Sequence, residues 1–471
     1  MHKKRVARAV KRSERIGCIH VCELLATDAQ FTKLLDTHAQ INDLNDVIQE
    51  KSQIVNYKLR PNKGNYLQFI HSWLGSLQTT TKNLNPSLQT LRDAVRSYFN
   101  DSKVQQRRRQ RLANSIGLNA ARNSQQEVKV IRLRRLTLPY PPPKHNILER
   151  DHPIPEKPEL YDYTCGYCTD FHIINEDQLS YTLPMTESAI FVDEQTNKII
   201  AVVLRNFAKD GFRWIKPWAT SLLRDTVQRR YKSQRNGQGD LVRFGVSDGP
   251  RHKRIFGWVR NLKQKYQRGN DRKEHDTALS SLFGFFYSLF RAQMPEEIVM
   301  AFENAIAKSN LPRLDFEGSG SFTLPLNPPL TFRAHPMAPP EGYIGINFAK
   351  NIHKDTHWND CPYGCYWNIS REQGQNQKVG IESGGNFFIA DYGLRIANSE
   401  NVCVSWQVSM WHGTSWYYDG LRHIGLAFLL TRSTERAWAK YDECLNKKKF
   451  VDGELMTDVD LSEDEVEDQT E

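Results

Sequence analysis

No run of apolar residues in the 471-residue chain approaches the roughly 18 that a membrane span requires, which argues against a transmembrane protein. Cysteine is scarce as well. Eight residues, at positions 18, 22, 165, 168, 361, 365, 403 and 444, are too few for a disulfide framework and imply a reducing compartment. The basic segment Met1–Arg15 precedes an apolar stretch, Ile16–Ala26, that carries His20 and Glu23 and has no small-residue cleavage pattern behind it. It reads as the start of a helix rather than a secretion signal. What is present is ordinary for soluble globular domains, 39% hydrophobic and 25% charged residues, over a length that suits two to four domains.

Acidic residues are thin everywhere except at the end. Asp452–Glu471 holds ten of the 54 and no Lys or Arg, so the net +10 of the whole chain hides about +20 on residues 1–451. Such an excess suits a polyanionic partner, nucleic acid first, because each cation that neutralises a phosphate releases a condensed counterion.

Residues 1–135 read as a basic α-helical region. Asp28 is placed to cap a helix with Phe31, Leu34, Leu35, His38, Ile41, Leu44 and Ile48 at three-and-four spacing, and Pro86 opens another with Leu88, Leu91, Val95 and Phe99. That second helix runs into Arg107, Arg108, Arg109 and Arg111, a cluster for phosphates or merely a solvated face. Residues 136–180, with Pro141-Pro142-Pro143 inside them, read as a proline-rich linker.

From 181 to 441 strands dominate. Ala189–Asp193 and Lys198–Leu204 read as a hairpin, and Val402, Val404, Trp406, Val408 and Met410 alternate with Cys403, Ser405, Gln407 and Ser409 at the period of a strand. Tyr343–Phe348, Gly384–Ile389 and Ile424–Leu430 add further strands, and Thr277–Gln293 and Pro295–Ser309 two helices. An antiparallel barrel or jelly roll fits this pattern best. Residues 229–273 read as a basic insert, with 14 Lys or Arg against three Asp and with Tyr231, Phe244, Phe256, Trp258 and Tyr266 interleaved. Residues 442–471 read as an acidic disordered tail.

Of 14 histidines, only His353 has an acid two residues later, Asp355. A strand ends just before it. His412 stands at the end of the alternating strand, and Arg422 opens the next. Two histidines and one carboxylate on strand ends can occupy one face of an Fe(II) octahedron and leave positions for a bidentate co-substrate and dioxygen. Arg422 has the donor fork to hold the far carboxylate of 2-oxoglutarate.

Over Ala189–Trp438, and most strongly over Gly342–Leu430, the chain resembles the TET/JBP dioxygenases, in particular their fungal, basidiomycete-type members. Their H-R-D-I-H-N stands here as His353-Lys-Asp-Thr-His-Trp358, their H-A-T-T as His412-Gly-Thr-Ser, and their R-I-S-L-V-F as Arg422-His-Ile-Gly-Leu-Ala-Phe428. Gly384–Ile396 resembles the intervening strand and turn. The resemblance implies an α+β protein with a double-stranded β-helix (jelly-roll) dioxygenase domain behind an α-helical N-terminal region. It implies Fe(II), held by His353, Asp355 and His412, and 2-oxoglutarate on Arg422. The reaction implied is oxidation of methylated bases in double-stranded DNA: 5-methylcytosine to hydroxymethyl and further oxidised forms, and N6-methyladenine demethylated with loss of formaldehyde. A nuclear location and base flipping go with it.

One position departs from the animal pattern. Trp358 replaces a base-contacting asparagine, with Asn359 and Asp360 behind it, so these three are the expected base contacts. Arg251, Lys253, Arg254, Arg260 and Lys263 are the expected phosphate contacts. Cys165, Cys168, Cys361 and Cys365 have the spacing of a structural zinc site if the fold brings the two pairs together, and buried or free thiols are the alternative. His357 and His423 are expected to be supporting or core groups. Two other functions stay open: a non-catalytic DNA- or chromatin-binding protein on a degenerate dioxygenase scaffold, and a related dioxygenase acting on RNA or protein.

Overall fold

The computed structural model describes residues 16–36, 41–57, 59, 65–77, 85–118, 128–153, 170–233, 238–249, 256–266, 270–327, 329–333, 335–355, 361–373, 380–446, 450–451 and 454–455. They fall into two compact units, one ending at Gln110 and the other beginning at Arg111.

The first unit is helical, with α1 over 16–27, then α2 (Ala29–Asp36), α3 (Ile41–Ile54), α4 (Tyr66–Leu77) and α5 (Pro86–Ile116). Asp28 caps α2 as its spacing predicts, accepting from the Phe31 backbone N–H at 2.7 Å. The same carboxylate meets Lys51 of α3 at 2.7 Å, and that partner holds it below the usual carboxylate range. Phe31, Leu35, Leu44, Ile48, Leu67, Leu88, Leu91 and Val95 are among the residues that close one apolar core. His38 lies outside the described residues.

The second unit contains β1 (Lys129–Leu133), β2 (Asn146–Leu148), β3 (Phe171–Ile173), β4 (Tyr181–Leu183), β5 (Ala189–Asp193), β6 (Ile199–Leu204), α6 (Lys216–Arg229), β7 (Gln238–Ser247), β8 (Gly257–Trp258), α7 (Asn270–Gln293), α8 (Glu296–Ser309), β9 (Ser321–Leu324), β10 (Leu330–Arg333), β11 (Glu341–Ala349), β12 (Tyr363–Gln373), β13 (Phe387–Ile389), β14 (Leu394–Ile396), β15 (Val402–Gln407), β16 (His412–Thr414), β17 (Leu421–Leu429) and α9 (Arg432–Asn446). Nine strands form one sheet in the order β1-β5-β6-β15-β12-β17-β11-β7-β8, and four form a smaller one, β16-β13-β14-β4.

Both faces of the large sheet are covered. On one, Phe283, Phe286 and Phe290 of α7, with α6 and α8, pack onto Cys365, Trp367, Leu426 and Phe428. On the other, Phe191, Val203, Val404 and Trp406 meet Phe387, Ile389, Leu394 and Ile396 of the small sheet. The Cys403 and Ser405 face of β15, polar in the sequence pattern, is therefore buried as well. α7 is buried over residues 279–290 and is apolar there on nearly every side, because that part lies in the interior.

Several boundaries move. β1 lies inside the stretch expected to be helical and runs parallel to β5. The proline-rich stretch 136–153 is no free linker: Leu136 and Tyr140 donate backbone N–H groups to Asp391 and Ala390, and Lys144 donates to Ile352 at 2.7 Å. Prolines hide this from periodicity, since the paired residues are Tyr140, set between prolines, and Leu136 and Lys144 on either side of the run. Residues 229–273 are part of the fold too. β7 pairs with β11, and Arg230 and Arg243 are engaged by Asp276 and Glu341 at 2.6 and 2.9 Å. α9 continues past 441, and Phe450–Val451 pairs with Glu454–Leu455.

Two cations, half-buried Arg205 and buried Arg395, join the small sheet to its surroundings. Arg205 donates to Ala397 O and Ser399 Oγ, both at 2.7 Å. Arg395 pairs with Glu149 at 3.0 Å, and Glu149 also accepts from Ser415 at 2.9 Å and from Asn386. Burial raises the Glu149 carboxyl while Arg395 pulls it back. Glu149→Ala leaves the Arg395 charge buried beside an empty space, and a loss of about 3–5 kcal/mol in urea unfolding is expected. A loss under about 1 kcal/mol would show that Glu176, at 2.8 Å, suffices as the partner.

Candidate metal centre

β11 ends at Ala349, and the chain turns through Asn351 into His353 and Asp355. β16 starts at His412. An antiparallel bridge joins the two segments: His353 and His412 exchange backbone N–H···O bonds, each 2.8 Å long. Thr414 N–H adds a third, to Lys350 O at 3.0 Å. Gly413 permits the close approach, since a Cβ there would stand 2.9 Å from the carbonyl oxygens of Lys350 and Asn351.

The bridge sets the imidazoles side by side, with ring centroids 4.4 Å apart. Each ring is oriented by its own segment: His353 Nδ1 lies 2.8 Å from Asn351 O, and His412 Nδ1 lies 2.8 Å from Met410 O. A carbonyl oxygen only accepts, so both Nδ1 atoms carry a proton, and each ring, when neutral, presents a bare Nε2 lone pair. Those atoms face the two oxygens of Asp355, at 3.4 Å from His353 and 3.5 Å from His412. Burial, reinforced by His412, pushes His353 down to about 4. Burial also opposes ionisation of Asp355, but the two histidines override it and hold the carboxyl well below its usual range.

One ligand atom from each of these three residues lies within 4.8 Å of the others. Three acceptors thus converge on one space, which is unfavourable unless a cation fills it. Their chemistry, two imidazoles and a carboxylate, fits a divalent first-row metal such as Fe(II). Among the described residues it is the one such cluster of His, Cys, Asp and Glu.

The three residues line a cavity of about 570 Å³. Tyr366, Phe387 and Trp406 form an aromatic wall, with the Trp406 and Phe387 rings 5.5 and 5.8 Å from His412. Among the other lining residues, Lys350, Asn347, Asn368, Asn398, Tyr417 and His423 are polar, while Leu241, Phe348, Leu426 and Leu429 are apolar. Gly385 lines it too, at φ +72°, where a Cβ would stand 2.1 Å from the Tyr417 ring.

Arg422 does not line this cavity. Side chains of β17 alternate, and His423, Gly425 and Ala427 face inward while Arg422 is exposed beside Glu372, its cross-strand partner, which is ion-paired to Arg224 of α6. His423, expected to be only a supporting group, is the polar residue of β17 that reaches the cavity. Its signal lay in the alternation of the strand itself.

Trp358, Asn359, Asp360, Arg251, Lys253, Arg254 and His357, with Cys165 and Cys168, lie outside the described residues. Arg260 is exposed, and Lys263 donates to Gln228 O at 2.8 Å. Cys361 and Cys365 are buried thiols. Burial pushes Cys361 up to about 12, and Cys365 Sγ lies 3.4 Å from Cys403 Sγ.

Replacing any one of His353, Asp355 or His412 by Ala is expected to abolish tight Mn(II) or Fe(II) binding while the far-ultraviolet circular dichroism stays that of the parent. Asp355→Asn, which keeps the shape and loses the charge, is expected to weaken binding by at least about tenfold. Parent-like metal titration in any of the four variants would remove that residue from the centre.

No protein-family model matches the chain, and no curated protein matches it in sequence. Among solved structures, NgTET1 in complex with 5mC DNA aligns with a TM-score of 0.32 and 9% identity, covering 64% of this chain and 90% of that one. A likeness of that size establishes neither family nor function.

Proposed function

We propose that the protein is an Fe(II)- and 2-oxoglutarate-dependent dioxygenase that oxidises methylated bases in DNA. The observation that carries the reading is the convergence of His353 Nε2, His412 Nε2 and Asp355 on one side of a half-open cavity. Iron bound there would bring dioxygen, the oxidant, together with 2-oxoglutarate, which would be oxidised alongside the methyl group that is hydroxylated. Stacked sheets with the ligands at strand ends support reading the second unit as a double-stranded β-helix.

The chain's own residues do the rest. The carbonyls of Asn351 and Met410 hold the imidazoles in the ligating tautomer. Tyr366, Phe387 and Trp406 keep bulk water from one side of the centre. A methyl inside a duplex cannot reach a cavity of this kind, so the target base must leave the stack, at a cost of a few kcal/mol that binding to phosphates offsets. The basic character of residues 1–451 supports that part of the reading, with exposed Arg260 and Lys265 as examples on the surface. DNA as substrate goes with a nuclear location. A binding protein on a degenerate scaffold would have no use for three converging acceptors.

The decisive measurement is mass spectrometry of nucleosides after incubation of methylated duplexes with the protein, Fe(II) and 2-oxoglutarate. Conversion of both 5-methylcytosine and N6-methyladenine is expected, with little action on thymine, because Asp360 accepts from the exocyclic amine of either base and offers a carbonyl edge nothing. Asp360→Ala should slow both reactions, and Trp358→Ala should slow the purine more, stacking being worth about 1–3 kcal/mol per base. Oxidation of methylated RNA but not DNA would move the substrate class. Neutralising Arg251, Lys253, Arg254, Arg260, Lys263 and Lys265 should flatten the salt dependence of DNA binding, the slope falling by about 0.9 for each phosphate that is no longer neutralised. An unchanged slope would put the DNA against another surface.

A further inference from the structure

His423 is 3% exposed, and its Nε2 is buried without a hydrogen-bond partner among the described residues, although the ring lines the cavity of the metal centre. The tautomer can be read from the hydrogen bonds behind it. Ser399 O accepts from Asn368 Nδ2 at 2.6 Å, which fixes the Asn368 amide. Asn368 Nδ2 lies 3.0 Å from Asn398 Oδ1, which fixes the Asn398 amide in turn. Asn398 Nδ2 then donates to His423 Nδ1 at 2.7 Å. With Nδ1 as acceptor, the proton of the neutral ring sits on Nε2. A donor is therefore held, buried and unpaired, at the cavity wall, and such a group is costly unless a ligand uses it.

A positive charge stands next to it. Arg371 is the cross-strand partner of His423, and it is held in place by Asn398 O at 2.7 Å and by Ser383. Its Nε is likewise buried without a partner among the described residues. The pairing depends on an irregularity in β12, between Asn368 and Ser370, where one extra residue restores Arg371 to the face of Asn368. Burial, reinforced by the Arg371 charge, holds the His423 ring well below the usual imidazole range.

We infer that His423 Nε2–H, oriented through Asn398 and backed by the charge of Arg371, anchors the far carboxylate of the dicarboxylate co-substrate, the task the sequence assigns to Arg422. This rests on the co-substrate reading above. His423 is the group that touches the carboxylate; Asn398 and Arg371 are positioning residues.

The test is 2-oxoglutarate titration of the full chain loaded with Mn(II), followed by calorimetry, with Mn(II) affinity measured separately on every variant. His423→Ala is expected to weaken 2-oxoglutarate binding by at least about tenfold, the range of a hydrogen bond to a charged group, while Mn(II) affinity holds. His423→Gln, which still offers an N–H, should recover part of the loss. Arg422→Ala should bind as the parent does. Asn398→Asp, of equal size, would demand a proton on Nδ1 and turn Nε2 into an acceptor, so binding should fall even though the histidine remains; it also serves if the alanine variant fails to fold. Loss of binding in Arg422→Ala with parent-like binding in His423→Ala and Asn398→Asp would overturn the inference and leave the dioxygenase reading standing. A parent protein that binds Mn(II) but no 2-oxoglutarate would overturn both.

Discussion

Two backbone hydrogen bonds between His353 and His412 hold the site together. They join the segment leaving the large sheet to the first strand of the small one, and the imidazoles face each other because a bridged pair places its side chains on the same side. Much nearby packing serves this junction. Lys144 and His145 of the proline-rich stretch clasp Ile352, one residue before the ligand, through its O and N atoms. Ala390 N–H ties the small sheet to Trp411 O, one residue before the other ligand. The histidines are thus supported from outside by chain that carries no chemistry of its own.

The same junction explains what the sequence revealed and what it concealed. His353, Asp355 and His412 were legible because a short H-x-D spacing and a histidine after a long alternating strand are chemical and periodic signals at once. Arg422 was chosen by residue type, and in a strand neighbours point to opposite faces, so the cation beside Glu372 and the histidine lining the cavity are adjacent in sequence and separated by the sheet. Composition misled in the basic stretch for a related reason. Arg230 and Arg243 count as surface charge in a sum, yet the first is 2% exposed and both are spent on internal carboxylates. The proline run hid its role because its backbone groups bind at scattered positions, and no period records them.

The polar groups of the cavity are set rather than mobile. Asn368, Asn398 and His423 take their orientation from a relay that begins at a main-chain carbonyl, so the donors they offer are fixed when the chain folds.

Each ligating ring takes its orientation from a carbonyl two residues earlier in the same segment. The entropy of fixing the rings is therefore lost when the chain folds, not when an ion arrives, and the ion gains affinity by that amount. Linkage gives the reverse effect: an ion that binds only the folded form stabilises it by about 2.7 kcal/mol at a free concentration 100 times its dissociation constant. With iron in this centre, the amount of folded protein in a cell would follow iron supply, and scarcity would act on the protein's lifetime before it acted on its turnover.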